Sequence, residues 1–249
     1  MCRLVDRGII VTGASSGIGA AIAVRCAEEG AHVLAVGRDE ERLSATVMAD
    51  PSRIHACLVD LTQSDSGATC VAAAQDAFGQ VSGLVHAAGT VLRNEVPTET
   101  TDERFNQIIE ENLGSVFRLV RATLPPLLAH GSGSIVLVGS QLAHIGIAGY
   151  ASYSAAKGGV TALARALAID VGPQGVRVNV LAPGVVKTPM AYVDREDFDD
   201  REEIIAKLHP LRRIGTPTDM AGPAVFLLSD DSAWMTGQVV HVDGGWTAQ

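Results

Sequence analysis

Short apolar runs rich in β-branched residues alternate along this chain with longer, alanine-rich stretches of helical pattern. The short runs predict strands and the longer stretches predict helices. Gly30, directly after the first helical stretch, fits a helix stop. The predicted strands are 8–11, 32–36, 54–59, 83–86, 134–138, 176–181 and 238–242. The predicted helices are 17–29, 40–49, 64–78, a long helix within 101–129, 151–171 and 218–228.

The alternation of strands and helices predicts the fold class. Strands joined by helical crossovers form a parallel sheet. The predicted strands are mostly apolar on both faces, as a sheet covered by helices requires. No linker-like stretch or change of composition divides the chain. We therefore predict a single Rossmann-like, doubly wound α/β domain over residues 1–249, with helices on both faces of the sheet.

One segment interrupts this alternation. Residues 185–210 follow a predicted strand and are rich in charged side chains, including all four at 194–197. Long insertions of this kind are often lids over a functional site. We therefore predict a substrate lid at about 185–210.

Composition excludes several classes of partner. The chain has 249 residues, of which 47% are hydrophobic, and its net charge is −9. Nucleic-acid binding usually needs a basic face, so this balance argues against a nucleic-acid partner. The four cysteines, at 2, 26, 57 and 70, have no metal-site spacing. No apolar run approaches the roughly 20 residues of a membrane helix, and the N-terminus does not resemble a signal peptide. We expect a cytoplasmic protein with no membrane partner.

A glycine-rich loop follows the first predicted strand and opens the first predicted helix. Residues 12–19 read Thr-Gly-Ala-Ser-Ser-Gly-Ile-Gly. Glycines let a backbone turn tightly and approach a pyrophosphate, and a helix N-terminus offers unpaired N–H groups to phosphates. The spacing is G-x-x-x-G-x-G rather than G-x-G-x-x-G, and a glycine-rich turn without a ligand is the alternative. The strand–loop–helix context favours nucleotide binding.

The end of the second predicted strand bears on which nicotinamide nucleotide fits. An acidic residue there binds the ribose 2′-hydroxyl of NAD, whereas Arg accommodates the 2′-phosphate of NADP. Gly37 stands where the acid is expected, and Arg38 follows, which favours NADP(H) over NAD(H). Asp39 either takes the NAD role or caps the next helix. Asp60, which closes the third strand, contacts the adenine or is another capping or turn residue.

Tyr153 and Lys157 are the candidate catalytic pair. They lie four residues apart on a predicted helix and so share one face. An unperturbed Tyr has a pKa of about 10, and a nearby ammonium is expected to lower it. Hydride addition to a carbonyl needs such a proton donor. Ser140 lies thirteen residues before Tyr153, at the end of a strand, where its hydroxyl is placed to hold a substrate oxygen. The alternative is a packed Tyr beside a surface Lys.

Together these motifs resemble those of the short-chain dehydrogenase/reductase family, and the likeness covers nearly the whole chain. The matching segments are Thr12-Gly13-x-x-x-Gly17-x-Gly19, Asp60-Leu61, His86-Ala87-Ala88-Gly89, Asn112-Leu113-Gly114, Ser140, Tyr153-x-x-x-Lys157, Asn179, Pro183-Gly184 and Thr188. The resemblance implies a seven-stranded parallel sheet in the order 3-2-1-4-5-6-7 and a homotetramer. The family often has Asn where this chain has Ala87, and many NADP-dependent members carry a basic residue at Ser16, so Arg38 would act alone.

The resemblance also implies roles for individual residues. Tyr153 is the general acid/base, Lys157 lowers its pKa and binds the nicotinamide ribose, and Ser140 orients the substrate oxygen. Asn112 holds a water molecule in a proton relay. The implied cofactor-binding residues are Gly13, Ser15, Ser16, Gly17, Ile18, Gly19, Arg38, Asp60, Leu61, Ala88, Gly89, Tyr153, Lys157, Pro183, Gly184, Val186 and Thr188. No metal is needed, and the histidines form no recognisable metal set.

The substrate class is the least constrained prediction. Relatives that reduce 3-oxoacyl groups on acyl carrier protein have basic residues at segments that correspond here to 127–132 and 172–175, and these carry no Lys or Arg. The predicted lid is also acidic, which disfavours an acidic carrier. We expect a small, largely neutral ketone, secondary alcohol, sugar-derived or cyclic substrate instead. The expected pocket residues are Gln141, His144, Ile145, Tyr150, Met190 and Tyr192, with Val91, Leu142, Ala143 and Val185.

Two alternatives to this function stay open. One is a 3-oxoacyl-(acyl-carrier-protein) reductase, which would act on 3-oxoacyl thioesters. The other is a catalytically silent nucleotide-binding regulator. Such proteins typically lose the Tyr or the Lys, whereas this chain retains Ser140, Tyr153 and Lys157.

Overall fold

A seven-stranded, entirely parallel β-sheet forms the centre of the computed structural model, which describes residues 2–193 and 198–249. The strands are β1 Gly8–Thr12, β2 His32–Gly37, β3 Ile54–Leu58, β4 Gly83–His86, β5 Gly133–Val138, β6 Val176–Pro183 and β7 Val239–Val242. Their order across the sheet is β3-β2-β1-β4-β5-β6-β7. The predicted fold class and strand order are confirmed.

Helices cover both faces of the sheet, and each face has its own apolar core. The helices are α1 Gly17–Glu28, α2 Glu40–Val47, α3 Ser66–Phe78, α4 Asp102–Ile109, α5 Ser115–His130, α6 Ala151–Val171, α7 Pro189–Tyr192, α8 Glu202–Lys207 and α9 Pro217–Leu228. Side chains alternate along a strand, so Ile9 and Val11 pack with α1 and α9 while Ile10 packs with α3, α5 and α6. Both faces are thus buried, which explains why the strands are apolar throughout.

The long helix predicted within 101–129 is interrupted in the structure. A π-helical turn, Glu110–Gly114, separates α4 from α5. The side chain of Asn112 is completely buried in this turn, and its Nδ2 donates to the carbonyl oxygen of Ile108 at 3.0 Å. Single π turns of this kind occur frequently at functional sites. The apolar periodicity passes through the turn, and so the sequence pattern did not reveal it.

The segment predicted as a lid contains two short helices, α7 and α8, in its described part. Ala191, Phe198 and Ile205 are buried together in a small apolar cluster with Ile214. Lys187 forms salt bridges to Asp199 at 3.4 Å and Glu202 at 2.7 Å. The charged positions 194–197, which contributed to the lid prediction, lie outside the described residues.

Within the described residues, no helix is long and apolar enough to cross a membrane. The same part of the chain holds no group of three or more His, Cys, Asp or Glu side chains arranged to bind a metal ion.

Candidate active site

A cleft of about 290 Å³ opens where the loops after β1, β2, β3 and β4 meet. These loops lie together because the carboxyl ends of parallel strands share one edge of the sheet. Of the residues predicted to bind the cofactor, the cleft is lined by Gly13, Ser15, Ser16, Gly17, Ile18, Gly19, Arg38, Asp60, Leu61, Ala88, Gly89 and Thr188. The fold therefore brings together predicted residues from five separate segments of the chain.

The glycine loop has the geometry of a phosphate cradle. Gly13 and Gly17 have positive φ angles of 65° and 56°, which side chains rarely adopt. A Cβ at Gly17 would lie 3.1 Å from Thr188 Cγ2, so this glycine lets the loop approach the segment after β6. The first turn of α1 carries no acidic side chain, and Ser16 forms no side-chain cap there. Its N–H groups are thus available to an anion.

Ser15 and Gly37 fit one another at the floor of this cleft. The Oγ of Ser15 is buried and has no hydrogen-bond partner among the described residues. A Cβ at Gly37 would lie only 2.0 Å from that oxygen. A buried hydroxyl without a partner costs free energy, and a polar ligand group would remove the cost. The residues present therefore fit a dinucleotide.

Asp39 and Arg38 gave conflicting signals on nucleotide choice, and the structure shows what each side chain contacts. The carboxylate of Asp39 caps α2, accepting from the backbone N–H of Arg42 at 3.0 Å, and pairs with the Arg42 side chain at 3.2 Å. Asp39 thus caps the helix, and it also lines the nucleotide cleft. Arg38 is exposed and lines the cleft. Its cationic group therefore faces the region where a nucleotide would bind.

Asp60 lines the cleft and also holds the turn after β3. Its Oδ1 accepts from the backbone N–H of Thr62 at 3.0 Å and from the Thr62 hydroxyl at 2.8 Å. These hydrogen bonds, with a smaller contribution from Arg38, keep the pKa of Asp60 below its ordinary value. The carboxylate is thus charged and fixed at the wall of the cleft.

A second cavity of about 490 Å³ adjoins the nucleotide cleft. The two share the lining residues Ile18, Ala87, Gly89, Thr188 and Met190. The predicted catalytic residues Ser140, Tyr153 and Lys157 line the second cavity, and so do Pro183, Gly184 and Val186. Hydroxyl groups from the end of β5 and from the first turn of α6 therefore meet where the two spaces join.

The pKa of Tyr153 differs from the sequence expectation. Burial raises it to about 12, although hydrogen bonding to Ser140 and the positive charge of Arg93 oppose the rise. The expectation was that Lys157 would lower this pKa. Lys157 Nζ instead donates to the carbonyl oxygen of Val138 at 2.9 Å and lies 5.7 Å from the Tyr153 ring centroid. Because the phenol is desolvated, its neutral form is favoured.

Lys157 and Asn112 both lie beside Gly89. Burial lowers the pKa of Lys157 to about 8. Asn112 Oδ1 accepts from the backbone N–H of Thr90 at 3.3 Å. A Cβ at Gly89 would lie 2.6 Å from Asn112 Oδ1 and 3.6 Å from Lys157 Nζ, which places both polar groups beside this glycine. The π turn thus brings the predicted relay residue close to the lysine.

The structure places some, but not all, of the predicted pocket residues at the second cavity. Gln141, Tyr150 and Met190 line the second cavity, as do Val91, Leu142 and Val185. His144, Ile145, Ala143 and Tyr192, which the sequence also predicted for the pocket, are not among its lining residues. The His144 ring packs edge-on against His241, with centroids 4.6 Å apart. The hydroxyl of Tyr192 donates to Asp199 at 2.9 Å on the outer surface of the segment.

Sequence reasoning missed several side chains of this cavity, among them Arg93 and Trp246. Arg93 stands four residues after Gly89 in the loop that follows β4, and this position at the carboxyl edge of the sheet was a usable signal. Trp246 is far along the chain and reaches the cavity through the turn after β7, so no local pattern marks it.

Comparison with known proteins identifies the family of this chain. Residues 13–247 match the family model described as enoyl-(acyl carrier protein) reductase. The 3-oxoacyl-[acyl-carrier-protein] reductase FabG of Escherichia coli is 36% identical over 236 residues, covering 95% of each chain. The L-rhamnose 1-dehydrogenase (NAD(P)+) of Azotobacter vinelandii is 37% identical over 250 residues, covering 97% of each chain.

A solved structure from Beutenbergia cavernae, described as an NAD(P)-dependent gluconate 5-dehydrogenase with NADP bound at low occupancy, is 40% identical. Its TM-score is 0.90, and the match covers 99% of this chain and 98% of that one. The chain belongs to the short-chain dehydrogenase/reductase family and is an NAD(P)-dependent oxidoreductase.

Proposed function

We propose that this protein transfers a hydride between NADP(H) and a ketone/secondary alcohol pair, with Tyr153 as general acid/base. The observation that carries the proposal is the position of Tyr153 and Ser140 in the second cavity, beside the nucleotide cleft. A carbonyl oxygen bound by both hydroxyls would have its carbon facing the cleft. This arrangement suits proton transfer coupled to a reaction at that carbon.

The residues of the chain handle the proton. When bound, the nicotinamide nucleotide supplies the hydride for reduction or accepts it in oxidation. In reduction, the Tyr153 phenol donates its proton to the substrate oxygen, which becomes the hydroxyl of the alcohol. In oxidation, the phenolate takes that proton back. Because the pKa of Tyr153 is raised to about 12, the phenol is protonated at neutral pH and is prepared for reduction.

The charge of Lys157 supports this exchange. With a pKa of about 8, its ammonium is largely protonated at neutral pH. Lys157 and Asn112, both beside Gly89, form the proposed route by which a proton returns to Tyr153 from solvent. We propose that Lys157, Pro183, Gly184 and Val186, which line the second cavity, contact the nicotinamide end of the bound nucleotide.

Arg38 supports NADP(H) as the preferred nucleotide. Asp39 is engaged in capping α2, and the position before Arg38 is a glycine. A guanidinium suits the 2′-phosphate because it forms bidentate, charge-assisted hydrogen bonds. NADP bound in the similar Beutenbergia cavernae structure is consistent with this proposal.

A second candidate is reduction of a 3-oxoacyl group on acyl carrier protein. The FabG relatives, at 35–36% identity over nearly the full chain, favour it. Segments 127–132 and 172–175 carry no Lys or Arg to meet an acidic carrier. We therefore place this reaction second.

The test is the absorbance of the reduced nicotinamide during turnover. Purified protein would receive NADPH or NADH with a panel of ketones, keto acids and a 3-oxoacyl thioester. We expect oxidation of NADPH with ketone substrates and little with the thioester. Turnover confined to the thioester would establish the second candidate. Tight binding of NADPH without turnover of any substrate would indicate a nucleotide-binding regulator.

Three further expectations accompany this proposal. Segment 185–210 is proposed to act as the lid of one catalytic domain. A homotetramer is proposed from the family resemblance, and sedimentation velocity tests it. The cytoplasm is the proposed location, which imaging of a tagged protein tests.

A further inference from the structure

The second cavity carries a strong excess of positive charge. Arg93, Lys157 and Arg201 line it, and no Asp or Glu of the described chain does. Three acidic side chains of the described lid segment form ion pairs away from this cavity. Asp199 and Glu202 pair with Lys187, and Glu203 pairs with Lys207. Among the described residues of the lid segment, no acidic side chain lines the space where a substrate would bind.

Arg93 is held in place by the lid segment. Its Nη1 donates to the carbonyl oxygen of Val193 at 2.6 Å, and its Nη2 donates to that of Met190 at 2.8 Å. Both acceptors are uncharged carbonyl groups at α7. The guanidinium is thus oriented by two hydrogen bonds while its positive charge has no carboxylate partner among the described residues.

The Nε of Arg93 and the Oε1 of Gln141 are both incompletely satisfied. Each atom is buried and has no hydrogen-bond partner among the described residues. Both side chains line the same cavity. One atom is a donor on a cation and the other a neutral acceptor. A ligand that satisfied both would carry an anionic acceptor group and a hydroxyl donor.

We propose that the substrate is a hydroxy acid or keto acid whose carboxylate binds Arg93 and one of whose hydroxyl groups donates to Gln141. The inference rests on the proposed function, because it names the substrate class for the same site. It replaces the largely neutral substrate expected from the sequence. Carboxylate matches the planar guanidinium, and such charge-assisted bonds are stronger than neutral ones. The positive charge near Tyr153 and Ser140 also draws an acid toward the reacting end of the cavity.

A structural role of Arg93 makes a different prediction. If Arg93 only fixed α7, its loss would impair every substrate by the same factor. If it binds the carboxylate, its loss would impair acids more than neutral analogues of the same shape. The decisive quantity is therefore a ratio: kcat/KM for an acid divided by kcat/KM for its primary amide.

The experiment measures this ratio with NADP+ and a series of linear polyhydroxy acids and their amides. We expect the wild-type protein to favour the acid by roughly tenfold or more, the size of one charge-assisted hydrogen bond. Arg93→Gln should reduce the ratio to near one, and Arg93→Lys should restore part of it. Arg104→Gln is the matched control, because Arg104 is exposed and pairs with Gln107 outside the cavity. It should leave the ratio unchanged.

A binding measurement separates this inference from the proposed function. Trp246 lines the cavity, so its fluorescence should report acid and amide binding to the NADP+-loaded protein, with Trp246→Phe to assign the signal. Tighter binding of the acids without turnover would support the carboxylate site and overturn the proposed oxidoreduction of these compounds. Equal wild-type kcat/KM values for acid and amide, or an equal loss of both values in Arg93→Gln, would overturn the carboxylate site while leaving the proposed function intact.

Discussion

The carboxylate of Glu95 accepts hydrogen bonds from both the backbone N–H of Ser152, at 2.8 Å, and the Ser152 hydroxyl. Ser152 immediately precedes Tyr153 in the first turn of α6, where backbone N–H groups lack partners within the helix. A negative charge at this end also interacts favourably with the positive pole of the helix dipole. Glu95 therefore fixes the end of α6 that carries the tyrosine to the loop after β4.

Glu95→Gln is expected to destabilise the protein by about 1 kcal/mol, the usual value of a helix N-cap. Although burial alone would raise the pKa of Glu95, hydrogen bonds from Ser152 hold it below its ordinary value of 4.5. The stabilisation is thus complete above 4.5 and is lost as the pH falls through the lower folded value. Urea unfolding of both proteins across this range measures it. Glu99→Gln, at an exposed position in the same loop, serves as the control. A difference that persisted at low pH would contradict the charge argument.

Tyr153→Phe should leave NADPH affinity unchanged and reduce turnover by roughly 10²–10⁴-fold, the typical contribution of a general acid. Steady-state turnover and fluorescence titration of NADPH check the two parts. Tyr192→Phe provides a matched control, because that hydroxyl bonds Asp199 outside the cavity. Comparable activity in both variants would remove Tyr153 from the mechanism.

The two reaction directions should depend differently on pH. Burial raises the pKa of Tyr153 to about 12, so its phenolate, the base for oxidation, is scarce at neutral pH. Below that pKa the phenolate fraction grows about tenfold per pH unit. Alcohol oxidation is therefore expected to accelerate through the alkaline range, while reduction, which uses the phenol, stays level around neutral pH. Initial rates in both directions test this, and an oxidation rate already constant near neutrality would show that Tyr153 ionises there.

Arg38→Ala should raise KM for NADPH roughly tenfold or more and change KM for NADH little. The reason is that only NADPH carries the 2′-phosphate, and a charge-assisted hydrogen bond has a free energy of about 1.5–3 kcal/mol. Initial-rate kinetics with each nucleotide measure the split. Arg42→Ala, at a nearby exposed arginine that does not line the nucleotide cleft, is the control. Equal effects on the two nucleotides would mean that Arg38 does not bind the phosphate.

Gly37→Ala should weaken the binding of both NADPH and NADH, because the added Cβ would lie 2.0 Å from the Oγ of Ser15 and displace that hydroxyl. Calorimetric titration of NADPH and NADH measures the loss. Gly222→Ala is the contrasting substitution, since a Cβ there meets nothing within 4 Å and Ala favours a helix. Unchanged affinity in Gly37→Ala would mean that the contact between Ser15 and residue 37 is unimportant for binding.

The sequence predicted the site best where a single local segment contains all the residues that determine its conformation. The loop from Gly13 to Gly19 lines the nucleotide cleft because its glycines and the following helix are specified together. The pocket was harder, because His144 faces β7 through a contact with His241, which is almost a hundred residues away. Whether a loop side chain lies in a cavity depends on such distant partners.

The electrostatic properties of the site could not be predicted from the sequence either. The spacing of Tyr153 and Lys157 suggested that the lysine ammonium lowers the tyrosine pKa. The sequence does not show how deeply Tyr153 is buried, and burial has the largest effect on its pKa. Arg93 was missed for a similar reason. Its orientation depends on carbonyl groups of Met190 and Val193, which only the folded lid segment places beside it.

The wall shared by the two cavities has a consequence for the affinities of the nucleotide and the substrate. Ile18, Ala87, Gly89, Thr188 and Met190 face both spaces, so a nucleotide in the first cavity completes the surface of the second. The affinities of the two ligands are then thermodynamically coupled, and by reciprocity each tightens the other by the same factor. The protein loaded with nucleotide should therefore bind the substrate more tightly than the free protein does.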